Sequence, residues 1–235
     1  CPEKGTKFII WNIFLVNVLD FDGVICDSAF EAFRMALTTV GEISHPFSEA
    51  SDCLYSEFYE KRISVGPAWN YYYVMQELLN NKWAPWVENK ASEQFVEKFF
   101  EVRRKAQQKK QKWLSLNPVY DNIVEILSPH TVTILTNKSR DPVEKLLIYN
   151  KISYDYIISM PEHKRFKNKT DLMNHYYRDQ NVKFIDDHIG IITDVRSRAM
   201  FNVDARHASW GYTKDKIPAI SLELKDLGNW LTNVR

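Results

Sequence analysis

From Asn117 onward, short β-branched runs alternate with stretches of helical periodicity, and this alternation leaves the chain few folds to adopt. Thr131 to Leu135, Tyr154 to Ile158, Val182 to Ile185 and Met200 to Val203 read as buried strands. Asp141 to Asn150, Thr170 to Gln180 and Ile189 to Arg198 read as the helices between them. Strands joined through helices run parallel, and a parallel sheet needs cover on both faces. Val18 to Asp20 ends an apolar run that begins at Phe8 and reads as the first strand of the same sheet. Between Ala29 and about Leu116 the pattern is helical and aromatic, with Ala29, Phe30, Phe33 and Leu37 at helical spacing and Phe95, Phe99 and Phe100 later. The expectation is an α/β chain. Residues 1–28 and 117–235 form its sheet-containing core domain, and residues 29–116 form a helical cap domain inserted after the first strand.

Composition excludes several classes. The 235 residues carry a net charge of +1, so no global field draws the chain to nucleic acid or to an anionic membrane. The run from Phe8 to Leu19 is shorter than the roughly 18–20 residues of a membrane-spanning helix. It also lacks a small-residue cleavage site before Asp20. Cys1, Cys26 and Cys53 form neither a disulfide framework nor a metal cluster, which points to a reducing, cytoplasmic setting. His45, His163, His175, His188 and His207 show no zinc spacing.

Ligands of open α/β sheets bind outside the carboxyl ends of the strands. The residues at those ends here are Asp20 and Asp22, then Thr136-Asn137-Lys138, then Asp186-Asp187. Residues i and i+2 of an extended end project to the same side, so Asp20 and Asp22 face one pocket. One carboxylate suits a nucleophile and the other a proton carrier. Neighbouring carboxylates repel unless a hard divalent cation neutralises them. Asp-Gly at Asp22-Gly23 is also ordinary turn chemistry, so the argument rests on the convergence of all three strand ends.

These motifs resemble the haloacid dehalogenase superfamily, in its phosphoglycolate phosphatase-like branch with a helical cap. The resemblance is carried by Leu19-Asp20-Phe21-Asp22-Gly23-Val24 with Asp27-Ser28, by Ile134-Leu135-Thr136-Asn137-Lys138, by Phe184-Ile185-Asp186-Asp187, and by Ser209-Trp210-Gly211-Tyr212. It implies a Rossmann-like core and a Mg²⁺-dependent phosphatase acting through an aspartyl-phosphate on a small phosphorylated metabolite. In that scheme Asp20 is the nucleophile, Asp22 the acid and base, and Thr136 a hydroxyl donor to phosphate. Asp186 and Asp187 would hold Mg²⁺ with an Asp20 oxygen and the Asp22 backbone carbonyl. An acid at position 22 favours phosphoryl transfer over carbon–halogen cleavage. The position four residues beyond Asp187, where the family often carries another acid, is Ile191, and the usual Lys-Pro dipeptide is missing.

The phosphate-binding lysine is open among Lys164, Lys167 and Lys169. Lys169 is preferred because it directly precedes Thr170-Asp171-Leu172, where Thr170 is placed to cap a helix. Asn137, Lys164, Arg62 and Trp69 are further substrate-binding candidates. In the cap, Trp69-Asn70-Tyr71-Tyr72-Tyr73 reads either as packing or as a specificity patch with Arg62 or Lys61 as anion partner. The basic run from Arg103 to Lys112 reads as a solvated helix face or as an element that steers anions. A phosphomutase sharing the same core residues and a non-catalytic binding protein of the same fold are the alternatives.

Overall fold

The end of the apolar run ahead of Asp20, Leu15 to Leu19, becomes a middle strand of the sheet. A computed structural model describes residues 15–49, 52–80, 83–159, 162, 164–212 and 216–233. The readings made for Cys1, for the apolar run from Phe8 to Phe14 and for His163 lie outside the described residues. Strand β1 (Leu15–Leu19) pairs with β2 (Thr133–Leu135) on one side and β4 (Asn181–Asp186) on the other. With β3 (Tyr156–Ile158), β5 (Asn202–Ala208) and β6 (Ser221–Leu222) the order is β3-β2-β1-β4-β5-β6, and every pairing is parallel. The chain steps outward from β1 through β2 to β3, then restarts on the opposite side at β4. The crevice between β1 and β4 is thus the point where the strand order reverses, the standard ligand position in such sheets.

Helices α1 (Ala29–Val40), α2 (Asp52–Arg62), α3 (Asn70–Asn80), α4 (Lys90–Gln108) and α5 (Lys110–Leu114) all lie between β1 and β2. Their aromatic residues pack on one another: Tyr71 stacks between Phe58 and Phe99 at centroid distances of 5.6 and 5.5 Å. Glu31 of α1 is fully buried, which is tolerable because Arg103 of α4 grips it with two hydrogen bonds of 2.8 and 2.6 Å and Trp113 adds a third at 3.1 Å. This clamp ties α1 to α4 and α5. The remaining helices are α6 (Ile123–Leu127), α7 (Arg140–Tyr149), α8 (Lys169–Tyr176), α9 (Ile189–Arg198) and α10 (Leu227–Thr232). One face of the sheet buries Leu135, Ile158, Leu172, Phe184, Ile192 and Val195 in a second cluster. At the amino side of β4 the buried Lys183 donates to the carbonyls of Trp230, Leu231 and Asn233, closing the carboxyl end of α10 against the sheet.

The α/β architecture with a helical insertion after the first strand is as expected, but boundaries shift. The last expected strand, Met200 to Val203, instead runs from Asn202 to Ala208 and includes Asp204, Arg206 and His207. Those polar residues are accommodated because Arg206 and Asp204 pair with each other at 2.7 Å and His207 hydrogen-bonds on both ring nitrogens. The helix expected over Thr170 to Gln180 begins one residue earlier and ends at Tyr176.

Candidate active site

Asp20 directly follows β1, and its N–H donates to the Ile185 carbonyl at 2.9 Å, so the sheet ladder fixes its backbone. β4 delivers Asp186 as its last residue, with Asp187 next. The ligand oxygens of Asp20, Asp186 and Asp187 all lie within 4.8 Å of one another, and all three residues are buried. Two glycines allow this crowding. Gly23 has φ +80°, and a Cβ there would sit 2.2 Å from an Asp187 oxygen. A Cβ on Gly211 would meet the Asp187 Cβ at 2.3 Å and the Gly23 carbonyl oxygen at 2.5 Å. Asp187 is further held by the Tyr212 N–H, which donates to its Oδ2 at 3.0 Å, and by His207, whose Nε2 donates to its backbone carbonyl at 3.2 Å.

One lysine enters the cluster. Lys169 lies 2.6 Å from an Asp186 oxygen and 3.1 Å from Asp20 Oδ1, with only 5% of its surface exposed. It is the first residue of α8, where a cation opposes the helix dipole, so the acids rather than the helix stabilise it there. Thr170 does not cap this helix as expected. Asn168 does, accepting from the Asp171 N–H at 2.8 Å, while the Thr170 hydroxyl donates to Asp194 at 2.5 Å. Asp194 is engaged with Thr170 and Arg198 and takes no part in the acid cluster. Burial raises the Asp20 carboxyl well above the usual range, with Asp186, Asp187 and Asp22 adding to the rise against the pull of Lys169. Burial and the adjacent Asp186 push Asp187 up to about 7. Burial opposes the charge of Lys169, but Asp186 and Asp20 outweigh it and hold the ammonium above its ordinary value. Three buried carboxylates with surplus negative charge form a hard oxygen donor set that fits a divalent cation.

Asp22 stands apart from that cluster. Its Oδ1 accepts from the Ser28 hydroxyl at 2.5 Å and from Lys138 Nζ at 2.6 Å. Burial favours the neutral acid, yet Lys138 and Ser28 prevail and hold Asp22 below the usual range. Lys138 comes from the turn after β2. Its N–H donates to Thr136 Oγ1 at 3.1 Å, which leaves the buried Thr136 hydroxyl hydrogen free to donate.

These groups line one cavity of about 1010 Å³. Asp20, Asp22, Thr136, Asn137, Lys164, Lys169, Asp186 and Asp187 line it from the sheet-containing part of the chain. From the insertion come Arg62, Tyr71, Phe99, Phe100, Arg103, Arg104 and Gln107. Arg62 lies with its guanidinium 4.5 Å above the Tyr212 ring, donates one hydrogen bond to the Val65 carbonyl, and has a buried Nε–H without a partner. Three candidates are not at the wall. Trp69 packs edge-on against Tyr73 at 6.1 Å, so the aromatic run is mainly internal packing with Tyr71 alone reaching the cavity. Lys61 pairs with Glu77 at 2.6 Å on the far side of α2. Lys167 is exposed and does not line the cavity. The basic run divides: Arg103 and Arg104 line the cavity, whereas Lys105 pairs with Glu101 on the exposed side of α4. Sequence reasoning missed Lys138 and Ser28 as partners of Asp22. Their only signal was position, one at a strand end and one at the entry to α1.

No family model and no curated protein matches this chain. Its fold does match solved structures. A protein from Haemophilus somnus described as a predicted phosphoglycolate phosphatase superposes with a TM-score of 0.61 at 15% identity, over 94% of this chain and 98% of that one. A HAD-superfamily hydrolase of subfamily IA, variant 1, from Geobacter sulfurreducens gives 0.55 at 12% identity, over 93% and 97%. A predicted phosphatase from Clostridium acetobutylicum gives 0.54 at 15% identity, over 92% and 90%. The chain therefore has the haloacid dehalogenase-like fold, sheet and helical insertion together.

Proposed function

We propose that the chain is a phosphatase of the haloacid dehalogenase superfamily, hydrolysing a small phosphomonoester with Mg²⁺ through an aspartyl-phosphate on Asp20. The observation that carries this reading is the meeting of Asp20, Asp22, Thr136, Lys169, Asp186 and Asp187 on one cavity at the carboxyl ends of β1, β2 and β4. Asp20, Asp186 and Asp187 would hold the ion, with the Asp22 backbone carbonyl as a further ligand. Bound there, it would offset the acids and draw charge from the phosphoryl oxygens.

The residues divide the work. An Asp20 oxygen attacks phosphorus as the bond to the leaving alkoxide breaks, and Asp22 gives that oxygen a proton. Asp22 then takes a proton from water, whose oxygen attacks phosphorus and releases Asp20 and phosphate. Lys138 keeps Asp22 ionised in the resting site, which suits the second step. An arriving phosphate adds negative charge beside Asp22 and competes for Lys138, raising the acid so that it can carry the proton the first step needs. Thr136 donates to a phosphate oxygen and Lys169 balances its charge. Asn137, Lys164 and Arg62 contact the substrate around the cavity. The free thiols of Cys26 and Cys53 support a reducing compartment, and among the described residues no helix is long and apolar enough to cross a membrane. The test is phosphate release from a panel of phosphomonoesters (phosphoglycolate, sugar phosphates, nucleotides and an aryl phosphate) with Mg²⁺ and with EDTA. Release abolished by EDTA is expected; undiminished release in rigorously metal-free buffer contradicts the mechanism.

A further inference from the structure

The turn after β5, Trp210-Gly211-Tyr212, touches the Gly23-Val24 turn, Asp187, Ser28 and α2. Trp210 Nε1 donates to the Val24 carbonyl at 3.0 Å, and Gly211 lies against Gly23 and Asp187. Tyr212 then makes three separate connections. Its backbone N–H holds Asp187 Oδ2 at 3.0 Å. Its hydroxyl oxygen accepts from the Ser28 N–H at 2.8 Å and lies 3.4 Å from the Ser28 hydroxyl, which itself donates to Asp22. Its ring carries the Arg62 guanidinium at 4.5 Å on one side and meets Tyr59 edge-on at 6.0 Å, both from α2. Tyr212 thus links Asp187, the Ser28 partner of Asp22 and the helical insertion.

We propose that Tyr212 is a positioning residue that couples α2 to Asp22. Its hydroxyl fixes Ser28 at the entry to α1, and Ser28 in turn orients the Asp22 carboxylate; its ring holds Arg62 over the cavity. The two functions reside in different atoms of one side chain. The hydroxyl acts on proton transfer, because an Asp22 held on one side by Lys138 alone would swing toward that lysine and away from the substrate oxygen. The ring acts on binding, because Arg62 lines the cavity and its guanidinium is held there by stacking on Tyr212. The inference rests on the phosphatase reading given above.

Tyr212→Phe removes the hydroxyl and keeps the ring and the backbone N–H, so it separates these roles. Expected is a fall in kcat of about tenfold or more, a part of the roughly 10²–10⁴ that a positioned acid or base contributes. KM should stay within about twofold, since a change confined to the chemical step leaves uniform binding intact. The Mg²⁺-induced rise in Tm should match wild type, because Asp187 keeps its Tyr212 N–H. Ser28→Ala should lower kcat similarly, and the double variant should fall no further than the worse single one, as expected for one chain of contacts. A wild-type kcat in Tyr212→Phe, or losses that multiply in the double variant, overturns the proposal. If the wild-type chain releases no phosphate from any ester, the phosphatase reading itself fails. Hydrogen exchange at the Ser28 amide then decides the positioning role: faster exchange in Tyr212→Phe supports it, and unchanged exchange refutes it.

Discussion

Replacing Lys169 by Met removes one ammonium group from between two buried carboxylates, and the structure sets the size of the effect. Lys169 bridges Asp186 at 2.6 Å and Asp20 at 3.1 Å almost without exposure. Removing one partner of a buried ion pair costs about 3–5 kcal/mol. For a chain of this length each kcal/mol lowers Tm by roughly 2–4 °C, so a fall of about 6–20 °C is expected in EDTA. Proton uptake by Asp20 limits the loss at acidic pH, which favours the lower end there. Saturating Mg²⁺ supplies charge to the same acids and should return most of the lost Tm. Catalysis should not return with it. Losing one preorganised charge at the phosphoryl group costs about 10²–10³ in rate, so kcat/KM should stay low in Mg²⁺. Differential scanning fluorimetry with and without Mg²⁺, read beside phosphate release, measures both. Lys164→Ala is the control: that residue is exposed, and its stability should stay within the roughly ±0.5 kcal/mol typical of surface changes, about 1–2 °C in Tm. If Lys169→Met keeps wild-type kcat/KM while Lys164→Ala collapses it, the charge on phosphate comes from Lys164 and not from Lys169.

Other outcomes follow from the same geometry. Asp22→Asn should keep Mg²⁺ affinity by calorimetry, since its side chain lies outside the acid cluster, yet lose turnover by about 10²-fold or more; near-native turnover would remove it from proton transfer. Gly211→Ala forces a methyl group to within 2.3 Å of Asp187 Cβ, so it should cost about 1–3 kcal/mol and weaken Mg²⁺ binding in titrations. Metal-free protein should lose stability as pH rises. The folded chain holds protons on Asp20 and Asp187 that the unfolded chain has released, so the loss begins above the ordinary aspartate range near 4 and is complete beyond about 7 for Asp187. Thermal melts in EDTA across that range check the sign, and Mg²⁺ should flatten the profile.

Much of this site was legible because its chemistry sits at strand ends. Asp20, Thr136, Asp186 and Asp187 follow β-branched or aliphatic runs whose strand character is strong, and parallel pairing of β1 with β2 and β4 then brings them together. What stayed hidden depends on contacts distant in sequence. Lys138 reaches Asp22 across 116 positions and Tyr212 reaches Ser28 across 184, separations on which local patterns carry no information. Trp69 shows the converse: an aromatic run beside a Gly-Pro break looks like a binding patch, but helical geometry in α3 turns Tyr71 and Tyr73 inward and leaves Trp69 against Tyr73. Strand β5 was placed too early because it lies next to the two-residue β6, where a half-covered edge admits the Asp204 and Arg206 pair.

The central claim is that Asp20 becomes phosphorylated. The most direct measurement is mass spectrometry of protein quenched in acid during turnover of whichever phosphomonoester it hydrolyses fastest, after borohydride reduction to mark an acyl-phosphate. The mark is expected on Asp20 alone, present with Mg²⁺, absent with EDTA and absent in Asp20→Asn. Turnover with no mark on Asp20, or undiminished turnover in Asp20→Asn, would contradict it.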